Sequence, residues 1–283
     1  MKVAVLGSGS RGNAVLVADE KTRILVDVGL SAKQAARRLD TLGIGPDSIA
    51  AIVVTHDHGD HTRGVGVYSR RFGTPVYITR PTREACARLF RGGEPIRHYG
   101  AGCPFAIGTL RVEPFTTAHD AVDPVALAVT GTRSGMRIGI ATDLGRPTAG
   151  VRHSLSGCDF LVLEANHDEQ MLRDGPYPPS VQARIASSHG HLSNYAAADF
   201  ARELLHPDLV GIFLAHLSQE CNQPGLACRV VREGLAEVGW SGFLQVAGQD
   251  EPTPMVDIVE LRRARGQRQL SLSSPVGSEA DQP

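Results

Sequence analysis

The chain has 283 residues, 29 basic and 30 acidic side chains, and a formal net charge of −1. Hydrophobic residues make up 42 % of it, which supports a sizeable core and excludes global disorder. The charge balance excludes a polycationic nucleic-acid coat but leaves a local basic groove open. The five cysteines include no CxxC pair, so we expect a reducing cytoplasm and no disulfide framework.

The two ends of the chain carry no membrane or export signal that we can identify. The start, MKVAVLGSGSRGN, lacks the apolar h-region and cleavage site of a signal peptide. No stretch approaches the roughly 18 apolar residues of a membrane span, so no membrane partner is expected. The chain becomes polar after about residue 264, and we expect one folded domain over 1–264 and a disordered tail over 265–283.

The first elements predict a β-meander. Residues 2–6 read as a strand, and the GSGSRG that follows matches the GxGxxG fingerprint of dinucleotide-binding folds. That fingerprint requires a helix after the glycines, whereas residues 14–17 and 23–27 read as strands. The glycines therefore favour a tight turn between strands over a nucleotide site.

The rest of the chain alternates between predicted helices and strands. A helix is expected over 31–42, with Ser31 as its N-cap. The apolar run 49–55 predicts a buried strand. Further strands are expected over 75–78, 111–115, 125–129, 137–141, 160–164, 210–215, 243–247 and 255–261, and helices over 81–90, 194–205 and 224–238.

Residues 55–62 read Thr-His-Asp-His-Gly-Asp-His-Thr and indicate a metal site. Neutral imidazole and carboxylate are the usual protein ligands of divalent metals. On a helix, positions i and i+2 point apart, so His56 and His58 converge only on a loop. The spacing predicts that these two serve one ion and that Asp60 and His61 serve a second. Such a pair of metals is the usual clamp for hydrolytic displacements.

Three more candidate ligands follow apolar strands. His119 comes after strand 111–115, Asp143 after strand 137–141 and His216 after strand 210–215. Strand ends that gather at one edge of a sheet are where layered α/β folds bind ligands. We therefore expect these side chains to meet the metal-binding run.

The order HxHxDH, His, Asp, His resembles the metallo-β-lactamase superfamily. The segments LGSGSRGN, THDHGDH, TAHDAVDP, ATDLG, EANHD, GHLSN and LAHLSQECN are similar to those of the YycJ/WalJ group of bacterial exonucleases, which is related to ribonuclease Z. The resemblance implies an α/β fold of four layers, an αββα sandwich, with two divalent metals (Zn²⁺ or Mn²⁺) at one edge of its two sheets.

The resemblance also implies the roles of the ligands. They fall into three groups: His56, His58 and His119 for the first ion, Asp60, His61 and His216 for the second, and Asp143 as the bridge. A hydroxide between the metals would be the nucleophile, and Asp60 would orient it.

Two further residues are implied to support catalysis. Glu164 and His191 occupy positions similar to the catalytic segments of ribonuclease Z, with His191 as general acid and Glu164 as the group that poises it. Helix capping by Ser193 or Asn194 is an alternative reading of the same segment, and both can hold. Whether His189 or His191 faces the site stays open, and His167 is a weaker candidate for substrate contact.

Residues 63–100 form a basic segment with eight arginines against two glutamates. On the predicted helix, one side carries Arg80, Arg83, Arg88 and Arg91, and the other carries Ala85, Cys86, Leu89 and Phe90. Phosphate contacts need such a cluster, although a solvated helix face explains it as well.

These features lead to one main function and two alternatives. The main hypothesis is a DNA exonuclease, of 5′→3′ type by resemblance and with a role in DNA repair, for which DNA is favoured over RNA. The first alternative is a small-molecule metallo-hydrolase of the same fold, such as a cyclic phosphodiesterase, thioesterase or lactonase. The second is a binding protein without catalysis, against which the complete ligand set argues.

Overall fold

Two seven-stranded sheets form the centre of the molecule in a computed structural model, which describes residues 1–273. The strands in chain order are β1 (Lys2–Gly7), β2 (Ala14–Asp19), β3 (Thr22–Val26), β4 (Ala51–Val53), β5 (Val76–Ile78), β6 (Ile96–His98), β7 (Phe105–Ile107), β8 (Leu110–Thr116), β9 (Val125–Gly131), β10 (Arg137–Ala141), β11 (Phe160–Glu164), β12 (Gly211–Ala215), β13 (Phe243–Val246) and β14 (Val256–Asp257). One sheet has the order β14-β1-β2-β3-β4-β5-β6 and the other has the order β13-β12-β11-β10-β9-β8-β7.

The chain has ten helices within the described residues. They are α1 (Ala32–Thr41), α2 (Gly59–Thr62), α3 (Val65–Phe72), α4 (Arg80–Ala85), α5 (Ala149–Leu155), α6 (Glu169–Asp174), α7 (Pro179–Ile185), α8 (Asn194–Glu203), α9 (Pro224–Ala236) and α10 (Ile258–Ser273), with 3₁₀ turns at Pro46–Ser48 and Ala87–Leu89. Of these, α1 and α3 pack on the outer face of the first sheet and α5, α8 and α9 on that of the second. Within residues 1–273, none of these helices combines the length and the apolar character needed to cross a membrane.

Alternation along the buried strands creates the four layers. In β2, Val15 and Val17 belong to the core between the sheets, while Leu16 packs in the core beneath α1 and α3. In β12, Phe213 points to the inner core and Leu214 to the core beneath α8 and α9. Since successive strand side chains face opposite ways, apolar residues at every position require cover on both faces. The expected αββα sandwich is confirmed.

Strand direction brings the candidate ligands to one edge. Strands β3 and β4 run parallel to each other, and so do β10, β11 and β12. Strand β8 points the same way as β10, because both are antiparallel to β9. Parallel strands end at the same edge of a sheet, so the residues that follow them lie close together.

The beginning of α1 follows the sequence rule for a capping box. The Ser31 side chain accepts the backbone N–H of Gln34, and the Gln34 side chain in turn accepts the backbone N–H of Ser31. Such a reciprocal pair satisfies donors that a helix start leaves free. The predicted helix and its N-cap are confirmed here.

The helix expected over 81–90 is shorter than predicted. Helix α4 ends at Ala85, and Cys86 leaves the helical region with φ −91° and ψ 14°. Its buried thiol lies 3.6 Å from the backbone oxygen of Asp57, which turns the chain toward the metal-binding run. The predicted apolar face is wrong at Ala85, which is exposed.

The end of the chain also differs from the prediction. The expected strand 255–261 is wrong after Asp257, whose carboxylate accepts the N–H groups of Val259 and Glu260 and so caps α10. The Arg262 side chain binds this helix to the body through Asp159, at 3.2 Å, and through Asp208. Residues 265–273 are helical where a disordered tail was expected, and 274–283 lie outside the described residues.

Candidate metal centre

The metal-binding run leaves β4 as an extended segment and then forms a single helical turn. His58 is the residue before α2, and its backbone oxygen accepts the N–H groups of His61 and Thr62. The expectation of a loop holds for residues 56–58 and is wrong for 59–62. Asp60 and His61 are neighbours on α2, so the short helix still presents them side by side.

One group of imidazoles is formed by His56, His58 and His119. Each offers a ring nitrogen, and these nitrogens all lie within 4.8 Å of one another. His119 Nε2 is 3.3 Å from His58 Nδ1, while its Nδ1 is 3.2 Å from the backbone oxygen of Gly190. A ring held through one nitrogen with the other directed into the group is the arrangement that metal-binding histidines adopt.

A second group contains Asp60, His61 and His216. His216 Nε2 is 3.4 Å from Asp60 Oδ2, and His61 Nε2 is 3.7 Å from the same oxygen. The other nitrogen of His61 lies 2.8 Å from Asp27 Oδ2. These two groups have the membership that the sequence spacing and the resemblance indicate. The same distances also group Asp143 with His56 and His61, and with Glu164, His191 and His216.

Asp143 lies between these two groups. Its Oδ2 is 3.0 Å from His61 Nε2, and its Oδ1 is 3.6 Å from His119 Nε2. One carboxylate therefore reaches both groups with different oxygens. This position suits a bridging ligand.

Three residues around the centre hold a left-handed backbone. Asp27, Asp143 and His216 have φ angles of 60°, 59° and 56°. Non-glycine residues rarely adopt this region, and it costs about 1–3 kcal/mol each unless neighbours enforce it. Here Ser8 Oγ accepts the His216 N–H at 2.5 Å, and Glu164 accepts the Asp143 N–H at 3.1 Å. These two hydrogen bonds hold the left-handed backbone at His216 and Asp143, whose side chains belong to the two ligand groups and to the position between them.

The donor set fits divalent metal. His56 Nε2 is buried and has no hydrogen-bond partner within the described part of the chain, and the buried Asp143 Oδ2 has only its 3.0 Å contact with His61 Nε2. An unpaired buried polar atom is costly, and a cation would satisfy both. Burial keeps the pKa of His56 well below its ordinary value, so its ring is in the neutral form that binds metal.

Glu164 is buried at the end of β11 and connects the loops of the second sheet. Its carboxylate accepts the backbone N–H groups of Asp143, Leu144 and Leu192 at 3.1, 2.9 and 3.1 Å. Although burial acts to raise the pKa of Glu164, contact with His191 and His216 lowers it to about 2. Glu164 is therefore a charged group that positions its neighbours.

The two histidines that Glu164 holds face the centre. His216 Nδ1 is 2.8 Å and His191 Nδ1 is 2.9 Å from Glu164 Oε1. Glu164 therefore occupies one nitrogen of each ring, and the Nε2 atom of each remains available for a second contact. Burial acts to lower the pKa of His191, but Glu164 outweighs it and raises that pKa above its ordinary value. His191 is thus held ready to carry a proton.

His189 lies outside this arrangement. Its side chain is exposed, and its Nδ1 lies 3.2 Å from Ser188 Oγ. The structure places His191, and not His189, beside the metal ligands. The capping alternative holds at the same time, because the Ser193 side chain accepts the N–H of Ala196 at the start of α8.

Sequence reasoning missed two supporting residues. The Asp27 carboxylate accepts the backbone N–H of Thr55 at 2.8 Å and the Thr55 hydroxyl at 2.7 Å. The same carboxylate contacts His61. Asn13 Nδ2 lies 3.0 Å from His61 Nε2 and 3.3 Å from Asp60 Oδ2. A signal for Asp27 was present, because it follows an apolar strand as the ligands do. Asn13 has no such signal.

The metal-binding turn rests directly on Gly29. The Asn13 N–H donates to the backbone oxygen of Asp60 at 2.7 Å, and the Val28 N–H donates to that of His61 at 2.9 Å. A Cβ atom on Gly29 would lie 1.5 Å from the Asp60 oxygen. Only glycine lets the two backbones approach this closely.

We expect Gly29→Ala to weaken both folding and metal binding. The added methyl group must displace α2, which costs about 1–3 kcal/mol of unfolding free energy and moves Asp60 and His61. Urea unfolding and titration with Zn²⁺ measure the two effects. Gly225→Ala is the control: it meets no atom within 4 Å in α9, and we expect a gain of about 0.4–1 kcal/mol. If Gly29→Ala and Gly225→Ala had the same unfolding free energy and the same affinity for Zn²⁺, the role given to Gly29 would be contradicted.

The arginine-rich segment is only partly free to meet a polyanion. Arg70 is paired with Glu94, and the Arg83 guanidinium stacks on the Phe90 ring with 4.3 Å to its centroid. Arg83 therefore does not extend from an open basic face as predicted. Exposed arginines of the segment are Arg63, Arg71, Arg80, Arg88, Arg91 and Arg97.

Comparison with known proteins identifies the family. The sequence profile described as the beta-lactamase superfamily domain matches residues 22–212. The chain belongs to this superfamily. It is 34 % identical over 240 residues to the exodeoxyribonuclease YycJ of Bacillus anthracis, which covers 84 % of this chain and 90 % of that protein. It is 32 % identical over 265 residues to the exodeoxyribonuclease WalJ of Streptococcus pneumoniae, covering 91 % and 98 %.

Solved structures agree with the fold. The short form of human tRNase Z superposes with a TM-score of 0.63 at 19 % identity, covering 91 % of this chain and 99 % of that one. The metallo-β-lactamase fold protein YhfI of Bacillus subtilis superposes with a TM-score of 0.66 at 16 % identity, covering 89 % and 98 %. The resemblance to the YycJ/WalJ group is confirmed, and this member of the β-lactamase superfamily is a metal-dependent hydrolase.

Proposed function

We propose that this protein is a binuclear phosphodiesterase that digests DNA from an end, in the 5′→3′ direction, and acts in DNA repair. The observation that carries the proposal is the convergence of two ligand groups on Asp143, with His191 beside them. The similarity to two exodeoxyribonucleases over most of the chain supports DNA as the substrate. Residues 1–264 would form the single hydrolase domain.

The metal ligands would divide as the geometry groups them. His56, His58 and His119 would hold one divalent ion, Zn²⁺ or Mn²⁺, and Asp60, His61 and His216 the other, with Asp143 between them. Two such ions, when bound, acidify water and neutralise the charge of a phosphodiester.

The remaining chemistry belongs to Asp60, His191 and Glu164. A cavity of about 180 Å³, the central cavity, is lined by His58, Asp60, Asp143, His191 and His216 among others. The Asp60 carboxylate is partly exposed to it and would accept a hydrogen bond there from the attacking water and so orient this water. His191 lines the same cavity and would donate the proton at its Nε2 to the leaving oxygen. Glu164 would act through His191, by keeping its ring oriented and charged.

One assay tests the proposed function. The purified protein is incubated with Mn²⁺ or Zn²⁺ and with end-labelled duplex DNA, single-stranded DNA, RNA or bis-p-nitrophenyl phosphate. We expect progressive loss of DNA from one end. Cleavage of the small ester without cleavage of any polymer would contradict the nuclease and favour the small-molecule hydrolase, for which the central cavity of about 180 Å³ has room.

We expect His191→Ala to slow turnover by about 10²–10⁴-fold, which is the usual contribution of a general acid. Metal content should stay unchanged, because the proposal assigns His191 to neither ion, although His191 lies close enough to Asp143, Glu164 and His216 to form a ligand group with them. Initial rates and elemental analysis of the same preparation measure both. His189→Ala is the matched control two residues away, and it should keep the wild-type rate. Loss of metal from His191→Ala would show that His191 is itself a ligand.

A further inference from the structure

A second cavity, of about 270 Å³, lies behind His191. Residues from α6 and from the beginning of α8 line it, together with Ala186 directly after α7. His191 borders this cavity and the central one, so it forms a shared wall between them. Any group that reacts next to His191 therefore has this cavity on its far side.

The cavity contains a buried histidine without a hydrogen-bond partner. His167 is only 3 % exposed and lines the cavity. Among the described residues its ring accepts and donates no hydrogen bond, and its Nδ1 is fully buried. Because this nitrogen is buried, the part of His167 that lines the cavity is the remainder of its aromatic ring, a surface of the kind on which a nucleobase stacks.

The lining combines apolar walls with a few polar groups. Leu172, Leu192 and Ala196 supply the apolar surface, and beside them the Ser193 hydroxyl donates to the Glu169 carboxylate at 3.1 Å. The exposed Arg173 guanidinium donates to Gln170 and has no carboxylate partner in the described part of the chain. Apolar walls with a few placed polar groups are typical of pockets for small ring compounds. A free guanidinium at the edge suits a phosphate.

We propose that this cavity binds the terminal nucleotide of the strand, the one that carries the leaving oxygen. The inference rests on the proposed function, because it takes His191 as the donor of the proton to that oxygen. The base would lie between the apolar walls and His167, and the terminal phosphate would face Arg173. The volume of about 270 Å³ suits one nucleotide, and with the terminal nucleotide bound there the nuclease would release mononucleotides from a 5′ end.

Filling the cavity tests this assignment. Ala186 is exposed at the rim directly after α7, and Ala183 is exposed on α7 but outside the cavity, so Ala186→Phe and Ala183→Phe form a matched pair. Calorimetry compares thymidine 5′-monophosphate with inorganic phosphate on the metal-loaded protein. Wild type and Ala183→Phe should bind the nucleotide about tenfold or more tightly than phosphate, and Ala186→Phe should lose this preference. Equal affinity of wild type for both ligands, or an unchanged preference in Ala186→Phe, would overturn the proposal.

A second measurement separates this inference from the proposed function. Duplex DNA is prepared with either thymidine or a tetrahydrofuran abasic residue at the 5′ end. Wild type should release the thymidylate about tenfold faster, and His167→Ala, which removes the ring, should reduce the difference while metal content stays constant. If wild type digested the thymidine-ended and the tetrahydrofuran-ended DNA at the same rate, the cavity assignment alone would be contradicted. If wild type digested no DNA, the proposed function would be contradicted.

Discussion

Asp143→Asn should lower kcat/KM by about 10³-fold or more. A metal ion supplies several kcal/mol of transition-state stabilisation, and each 1.4 kcal/mol corresponds to a factor of ten. The amide keeps the shape of the carboxylate but has one oxygen and no charge, so it cannot bridge two cations. Asp143 is also surrounded by imidazoles, and contact with His216 and His61 keeps its pKa well below the ordinary value although burial opposes this.

The experiment for Asp143 measures rate, metal content and circular dichroism on one preparation. The matched control is Asp159→Asn, a buried aspartate at the opposite end of the same sheet that accepts the Arg137 N–H at 2.7 Å and pairs with Arg262. We expect this control to lose some stability and no metal. An Asp143→Asn protein with wild-type rate and two bound ions would show that the carboxylate is not the bridge.

Glu164→Gln should damage metal binding and folding together. The carboxylate is completely buried and accepts three backbone N–H groups as well as the Nδ1 sites of His191 and His216. All of these partners donate to residue 164. The glutamine amide group would place its own N–H donors against some of these N–H groups, which would then lose their hydrogen bonds. Breaking a buried charged network costs about 3–5 kcal/mol, and losing support behind a ligand typically weakens metal affinity about 10–100-fold.

Urea unfolding of the metal-free protein and Zn²⁺ titration of the folded protein separate these two effects. Glu113→Gln is a suitable control, because Glu113 accepts from Arg137 at 2.7 Å on the same sheet but lies partly exposed and away from the ligands. The control should retain wild-type metal affinity. If Glu164→Gln bound Zn²⁺ as tightly as wild type, then Glu164 would not position His216.

Much of the fold could be predicted because local rules and tertiary structure agree. Ser31 with Gln34 signals a helix start, and the apolar strands signal burial on both faces. Predictions failed where a single side chain overrides the local pattern. The carboxylate of Asp257 starts α10 where a strand pattern continues, and the thiol of Cys86 packs against the metal-binding run where a helix was expected to extend.

The order and spacing of the ligand signals are enough to predict a metal centre from the sequence. Four histidine and aspartate signals in order, each after an apolar strand, specify ligand types and place them at one sheet edge, because parallel strands end together. The supporting roles of Asp27 and Asn13 emerge only from the three-dimensional packing. These two residues meet the ligands from distant parts of the chain, and His191 rather than His189 reaches the predicted partner Glu164, a buried carboxylate 27 residues away. Such pairings are set by three-dimensional packing and leave no periodic trace in the sequence.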